Sequence, residues 1–198
     1  SVDGTHEVGR TLDVLSVYNR LGSDVTGLQK ICHSGRSVFS QARFLVYCSG
    51  KCGSENGVKK EQGGVGLAVR TSITRAARPP EFIRDRMLKG TLQLRGRAKA
   101  VTFSVEYAPT ETQKTSNKNA FWTSLDKDVE EVPRHEQLFV LMDPNARTGR
   151  REKGHVGSND SKILGLYGRD TLSDNGKLLM SFANNHDLAL ANTFFSTP

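Results

Sequence analysis

The spacing of apolar positions predicts four helices along the chain. Residues 11–22 have apolar side chains at near-helical intervals and end at Gly22, and a short helix is predicted over 37–42. A longer helix is predicted from a Ser116 cap to Val132, with Pro133 as its stop, and a last one over 176–185. Leu12, Leu15, Tyr18 and Leu21 supply the near-helical spacing of the first helix. Phe121, Leu125 and Val129 are expected on one face of the third helix, and Leu178, Leu179 and Phe182 inward on the last, with Trp122 in the core or at its edge.

Alternating or continuous apolar runs predict strands between these helices. The strands are Asp24–Gln29, Phe44–Cys48, Gly64–Val69, Leu88–Leu94, Lys99–Tyr107, Gln137–Met142 and Leu188–Phe195. Arg95-Gly96-Arg97 is a plausible hairpin turn, and the Gly- and Lys-rich stretch 49–64 is typical of a surface loop. Helices alternate with strands that also pair as hairpins, which favours a layered α/β architecture with mixed sheets in one domain of 198 residues.

The last predicted strand raises the question of self-association. Leu188–Phe195 closes the chain without a capping element, so we expect an incomplete sheet there. An exposed sheet edge offers unpaired backbone groups to a second molecule. Self-association through this edge is therefore expected.

Charge changes the picture by suggesting a class of partner. The chain has 28 basic and 21 acidic residues, a net charge of +7 and a pI near 9.5, which favours a polyanion such as nucleic acid. Four of the basic residues, Arg147, Arg150, Arg151 and Lys153, lie in the long irregular segment 146–169. Long loops beside strand ends are often functional, and the alternative is a charged loop that is merely solvated.

Composition also limits the cellular setting and the metal chemistry. No apolar run reaches the ~20 residues that span a bilayer, and no secretion signal opens the sequence, so an intracellular protein, nuclear or cytoplasmic, is expected. The three cysteines, Cys32, Cys48 and Cys52, cannot pair fully. Their spacing, with His33 nearby, matches zinc sites poorly and favours reduced thiols, with a metal site as the alternative.

The stretch Phe139–Gly149, FVLMDPNARTG, is the strongest candidate for chemistry. Its apolar run delivers Asp143 and Asn145 just past a strand end, where sheets place the residues of their sites. Pro144 cannot continue a ladder, so the strand should stop at Asp143. An ordinary Asp-Pro-Asn turn is the alternative that local sequence leaves open.

Six stretches in register resemble the endonuclease/exonuclease/phosphatase superfamily. They are DVTGLQ (24–29), GGVGLAVR (63–70), VEYAPTE (105–111), FVLMDPNARTG (139–149), YGRDTLSDNG (167–176) and ANTFFSTP (191–198). In particular they resemble the apurinic-like endonuclease domain of non-LTR (LINE-type) retrotransposons, including its craniofacial-development-protein-like copies. The resemblance implies a four-layer sandwich of two mixed β-sheets flanked by helices, and a Mg²⁺-dependent DNA phosphodiesterase.

In that chemistry the metal neutralises the scissile phosphate while an oriented water attacks it in line. The resemblance implies that Asp143 orients or deprotonates the water. It implies that Asn145 donates an amide hydrogen bond to a phosphate oxygen, and that the Tyr107 hydroxyl contacts the phosphate. For Tyr107 the alternative is a half-buried strand residue without a role.

Two departures from the family pattern point to impaired catalysis. Lys30 stands where the family has its metal-holding glutamate, and no other intact metal ligand is identified. Two like charges about 4 Å apart cost roughly 4 kcal/mol at an effective dielectric of 20, so metal binding should be badly weakened. The segments that would carry the second metal-side aspartate and the Asp-His pair lie beyond Pro198, and none of the five histidines matches a motif.

The sequence therefore leaves three functions open. The first is an active endonuclease. The second, which the departures favour, is an impaired copy with its C-terminal part missing that still binds DNA. The third is an inert structural or interaction domain.

Overall fold

A computed structural model describes residues 4–31, 35–50, 54–55, 58–59, 63–93, 96, 99–150, 160–168 and 171–196. The chain divides into two compact units, Ser1–Tyr107 with Pro133–Met142, and Ala108–Val132 with Asp143–Pro198. The expectation that all 198 residues form one domain stays a prediction.

The first unit contains a helix and two four-stranded sheets. Helix α1 spans Gly4–Arg20, and the strands are β1 (Val25–Ile31), β2 (Gly35–Gln41), β3 (Phe44–Gly50), the short β4 (Ser54–Glu55) and β5 (Val58–Lys59), β6 (Gly64–Arg70), β7 (Glu81–Arg84), β8 (Met87–Leu92), β9 (Val101–Tyr107) and β10 (Gln137–Asp143). The sheet orders are β1-β6-β3-β2 and β10-β9-β8-β7, and β4 pairs with β5. A 3-10 helix, Thr71–Ala76, follows β6.

Strand direction differs between the two large sheets. The first sheet is antiparallel at every described pair. In the second sheet, β7, β8 and β9 are antiparallel to their neighbours in that series. Strands β9 and β10 run parallel: the Gln137 N–H donates to the Ala100 carbonyl where both strands begin, and the Ala108 N–H donates to the Asp143 carbonyl where both end. The predicted α/β class with two sheets is confirmed, and the second sheet carries the mixed directions.

The two sheets pack face to face around one apolar cluster. Its buried members are Val65, Leu67, Val69, Leu88, Leu92, Val105 and Tyr107, taken from both sheets. Gly27 permits a close approach, since a Cβ there would lie 2.7 Å from the Cβ of Leu141. The Gln29 side chain then joins the sheets by donating to the Leu141 carbonyl at 2.9 Å.

Helix α1 covers the opposite face of the first sheet, and among those of its side chains that the structure describes, 12–20, Leu15 is the fully buried one. The helix predicted over 11–22 is present, although the other periodic residues, Leu12, Tyr18 and Leu21, remain 42%, 38% and 73% exposed. Cys48 lies in the same cluster as a buried thiol, and burial raises its pKa to about 11. Cys32, His33 and Cys52 lie outside the described residues.

The second unit contains helices α2 (Thr115–Glu130), α3 (Asp160–Ile163) and α4 (Asp174–Asn185), with a 3-10 helix at Ala191–Thr193. Helices α2 and α4 pack through Trp122 and Phe182, whose ring centroids are 5.6 Å apart. The buried face predicted for α2, Phe121, Leu125 and Val129, is confirmed.

Several predicted elements differ from the structure, among them the surface loop predicted over 49–64, within which β4 pairs with β5. Residues 37–42 form most of β2 instead of a helix, because the backbone pairs with β3 from Gly35 to Gln41. The α2 cap is Lys114 rather than Ser116, and it makes no side-chain cap bond. Within 188–196, all described, there is no strand, so the sheet edge expected to drive self-association does not exist there.

Candidate functional site

Asp143 and Asn145, which belong to the second unit, form a tight, hydrogen-bonded turn where β10 ends. As predicted, the strand ends at Asp143, immediately before Pro144. The Asn145 N–H donates to Asp143 Oδ1 at 3.1 Å, and the Asp143 carbonyl accepts from the Ala108 N–H at 3.0 Å. The segment is therefore an Asx turn that fixes two polar side chains at a strand end, and its role in chemistry stays a prediction.

Asn145 adopts a left-handed backbone conformation with φ 45°. Such a conformation is uncommon for any residue except glycine, and Asn is one of the few that tolerate it. Its Nδ2 donates to the Ala108 carbonyl at 2.8 Å, and its own carbonyl accepts from Asn175 Nδ2 at 3.0 Å. Hydrogen bonds on three groups of Asn145 therefore hold the strained turn in one geometry.

Asn175 connects this turn to the start of α4. Its Nδ2 also donates to the Pro109 carbonyl at 2.9 Å, and the residue is only 1% exposed. Asn175 Oδ1 has no hydrogen-bond partner among the residues that the structure describes. One buried carboxamide thus bridges the segments that follow β9 and β10.

Glu111 binds the N-terminus of α4. Its carboxylate accepts from the Asp174 N–H at 3.1 Å and from the Asn175 N–H at 3.3 Å, and lies 3.6 Å from Lys118 Nζ. The pKa of Glu111 lies below its ordinary value. Desolvation raises it, but hydrogen bonds from Ser173 and the two backbone N–H groups, together with the Lys118 charge, lower it by more. A carboxylate at a helix N-terminus is also favoured by the helix dipole.

Ser173 caps α4 and holds the basic segment beside it. Its hydroxyl accepts from the Gly176 N–H at 3.1 Å and from the Arg147 N–H at 3.2 Å. The backbone of Arg147 is thereby fixed while its side chain remains exposed, as does that of Arg150. Arg151 and Lys153 lie outside the described residues.

Tyr107, at the end of β9, belongs to the first unit and is 6% exposed. Its ring lies beneath two cations, Lys30 Nζ at 5.4 Å and Arg86 Cζ at 5.0 Å from the ring centroid. We call Lys30, Arg86 and Tyr107 the cation cluster. The structure thus brings Tyr107 together with Lys30, and Asp143 with Asn145.

The cation cluster does not suit a divalent metal ion. Two positively charged side chains lie over the Tyr107 ring, and each would repel Mg²⁺. Lys30 is the one at the position where the motif resemblance implies a metal-holding glutamate. Among the described residues, no three His, Cys, Asp or Glu side chains are grouped so as to hold a metal. No described helix is long and apolar enough to cross a membrane.

Sequence reasoning missed Asn175, Glu111 and Arg86. Glu111 and Asn175 lie within the stretches VEYAPTE and YGRDTLSDNG, and the Ser173-Asp174-Asn175 start of a helix could have directed attention to them. Arg86 has no comparable signal, because it lies in the turn between β7 and β8 and only the folded chain brings it to Tyr107.

A solved structure has a similar fold. The solved AP endonuclease LMAP from Leishmania major superposes with a TM-score of 0.51 at 11% identity, over 91% of this chain and 62% of that one. The chain has the fold of that endonuclease. An identity this low establishes the fold alone.

Two curated proteins are similar in sequence. Craniofacial development protein 2 of Tragulus javanicus is 24% identical over 180 residues, and that of Bos taurus is 24% identical over 179. These alignments include 91% and 90% of this chain but only 29% and 28% of the relatives' lengths. No family model matches the sequence. These likenesses support the superfamily resemblance that the motifs carry.

Proposed function

We propose that this chain descends from metal-dependent phosphodiesterases that cut DNA, and that it binds nucleic acid but hydrolyses it weakly or not at all. The fixed Asp143–Asn145 turn, on a fold shared with an AP endonuclease, supports this proposal most strongly. Strained backbone held by several hydrogen bonds is a common mark of functional sites. The motif resemblance supports an origin in the endonuclease domain of a non-LTR retrotransposon. We also propose an intracellular site of action, nuclear or cytoplasmic.

The proposed roles follow from the chemistry of each group. Asp143 would orient a water and Tyr107 would contact a phosphate. Asn145 would donate to a phosphate oxygen, because its carboxamide carries two N–H groups and only one is directed at the Ala108 carbonyl. Arg147 and Arg150, with Arg151 and Lys153, would bind the DNA backbone.

The proposed loss of catalysis rests on Lys30. With an ammonium in the place of a carboxylate, Mg²⁺ is expected to bind too weakly to neutralise the scissile phosphate. We therefore expect the purified chain to leave supercoiled plasmid intact in millimolar MgCl₂, at the level of an Asp143→Ala variant. Robust nicking that Asp143→Ala abolishes would show the enzyme to be active and the proposal wrong on this point.

Binding is tested by fluorescence anisotropy with a labelled duplex at increasing salt. We expect affinity to fall steeply with salt, because each phosphate contact releases counterions. Arg147→Gln and Arg150→Gln should each lower the slope of log K against log salt by about 0.9. Arg75→Gln, which removes the same charge from an exposed 3-10 helix position in the other unit, is the matched control.

An inert interaction domain gives a different result. It would bind no DNA at low salt, and none of the three arginine variants would differ from the parent chain. That outcome would refute nucleic-acid binding. The chain would then share its fold with the nuclease lineage, but not its function.

A further inference from the structure

Helix α1 carries a row of apolar side chains on the side that does not contact the first sheet. Val14, Val17, Tyr18 and Leu21 follow one another at the three- and four-residue spacing that places side chains on one face of a helix. Leu21 lies just past the last residue of α1, but its N–H donates to the Val17 carbonyl at 3.0 Å and so continues the helical spacing. We call these four residues the outer stripe.

The orientation of α1 is fixed from its other side. Leu15 is buried in the cluster on the first sheet. Asn19, four residues later on the same side of the helix, accepts a hydrogen bond through its Oδ1 from Arg70 Nη1 of β6 at 2.9 Å. Rotation of α1 to bury the outer stripe would break both contacts. The stripe is therefore a fixed feature of the surface of this unit.

The outer stripe is exposed over its whole length. Val14 and Val17 are 41% and 42% exposed, Tyr18 is 38% exposed and Leu21 is 73% exposed. Single apolar side chains on a surface need no explanation, whereas a contiguous apolar patch marks an interaction site. Removing apolar surface from water is favourable by about 25 cal/mol per Å². The stripe therefore favours association with a second apolar surface.

Two opposite charges beside the stripe indicate which surface that is. Asp13 and Arg20 are both exposed and lie seven residues apart, on the same edge of the stripe. They are about 10 Å apart along the helix axis, too far for an ion pair within one helix. If a second α1 packs antiparallel about a two-fold axis, each edge of the stripe meets the same edge in the other copy. The Asp13 carboxylate of one copy then lies beside the Arg20 guanidinium of the other, and this pair occurs twice.

The same two-fold arrangement aligns the apolar side chains. With the axis near Val17, Val14 of each copy packs against Leu21 of the other, and Val17 and Tyr18 of both copies meet at the centre. One register thus satisfies the charges and the apolar residues together. A lipid surface has no fixed pattern of charges to match the acidic and basic residues of this edge, so a second copy of the chain is the favoured occupant.

We propose that the outer stripe is the contact surface of a homodimer, in which α1 of one copy packs antiparallel against α1 of the other. Two turns of helix place this contact at the low end of specific interfaces, below about 1,200 Å² in total, so the dimer dissociates on dilution. The surface differs from the sheet edge that the sequence predicts near the end of the chain. It is also independent of the proposed function, because none of its residues belongs to the candidate site.

Sedimentation velocity of the full chain, from low to high micromolar concentration, tests the dimer. The parent chain should pass from monomer to dimer without larger species, because a two-fold contact closes on itself. Val17→Glu should weaken the dimer about tenfold or more, because it places two like charges near the axis. Val38→Glu is the matched control, since Val38 is 53% exposed on β2 of the same unit, and it should leave the dimer unchanged. Circular dichroism verifies that each variant is folded.

Charge reversal tests whether the partner is a second copy in this register. Asp13→Arg and Arg20→Asp should each weaken the dimer about tenfold, since each replaces two exposed attractions by two repulsions. The double variant Asp13→Arg/Arg20→Asp should recover the affinity of the parent. A mixture of the two single variants should form heterodimers more tightly than either variant forms homodimers, because every basic residue of one chain then meets an acidic residue of the other.

Several outcomes would overturn the proposal. A chain that stays monomeric at every concentration would do so, as would a dimer that Val17→Glu and Val38→Glu weaken equally. A dimer that both single charge reversals leave unchanged would place the contact elsewhere. Growth into larger species without a dimer would mean an open contact rather than a two-fold one. A monomer that binds phosphatidylcholine vesicles, and loses this binding in Val17→Glu, would make a lipid surface the occupant.

Discussion

At the scale of single residues, Asn145 shows how a strained conformation is maintained. Its left-handed backbone persists because Asp143, Ala108 and Asn175 all hydrogen bond to it. The Asn175 amide can reach it because Glu111 holds the first turn of α4 by its backbone N–H groups. The geometry of the candidate catalytic turn therefore depends on a carboxylate that does not itself touch the turn.

The charge of Glu111 gives a prediction about pH. Its pKa is lower in the folded chain than the ordinary value of 4.5, so its stabilising effect is complete above that value and is lost as pH falls through the folded pKa. Glu111→Gln should lower the free energy of unfolding at pH 7, and the difference from the parent should shrink to nothing in acid. Urea titrations across pH measure this difference.

Glu130→Gln is the control for that experiment. Glu130 is exposed at the last residue of α2, and its removal should change stability little at any pH. A Glu111→Gln effect that persists unchanged at low pH would mean that the glutamate acts through its shape rather than its charge.

At the scale of elements, the start of α4 is packed against the segment that follows β10. A Cβ on Gly176 would lie less than van der Waals distance from the Arg147 carbonyl oxygen and 2.8 Å from its carbon. Alanine normally stabilises a helix by up to about 1 kcal/mol relative to glycine. Here the backbone contact should outweigh that gain, and Gly176→Ala should destabilise the chain by about 1–3 kcal/mol.

Chemical denaturation of Gly176→Ala, compared with Ser181→Ala, checks this prediction. Ser181 lies on the exposed face of the same helix, so its replacement reports helix propensity without the contact. Stabilisation by both substitutions would show that α4 can move away from Arg147 at no cost.

Element prediction from sequence succeeded where local pattern and final environment agree. The helix face of Phe121, Leu125 and Val129 and the apolar run of β10 needed no distant partner to be recognised. The local pattern of residues 37–42 predicts a helix, whereas the strand that the structure shows there depends on pairing with β3. At the end of the chain, Leu190 and Thr193 instead hydrogen bond to Ile163 and Tyr167, partners that no local pattern reveals.

Part of the candidate site could be predicted from the sequence and part could not. Asp143 and Asn145 follow an apolar run, so their place at a strand end could be read from the sequence. The cation cluster could not, because Lys30, Arg86 and Tyr107 come from three separate segments and meet only through the sheet register and a bulge. The lysine at position 30 is visible in the sequence, but its contact with the Tyr107 ring is not.

At the scale of the whole molecule, the chain passes between the two units at three points, after Tyr107, Val132 and Met142. The parallel strands β9 and β10 of the first unit are connected through α2 of the second. The second unit therefore supplies the crossover that a parallel strand pair requires. We expect the two units to unfold together in one cooperative transition.

Calorimetry with one destabilising variant in each unit tests this expectation. Leu88→Ala removes a fully buried side chain from the first unit, and Asn175→Ala removes buried hydrogen bonds from the second. If the units unfold together, each variant lowers the midpoint of the same single transition, and the calorimetric and van't Hoff enthalpies agree. If each variant instead shifts its own separate transition, the 198 residues are two independently folding domains, because destabilising one unit then leaves the other folded.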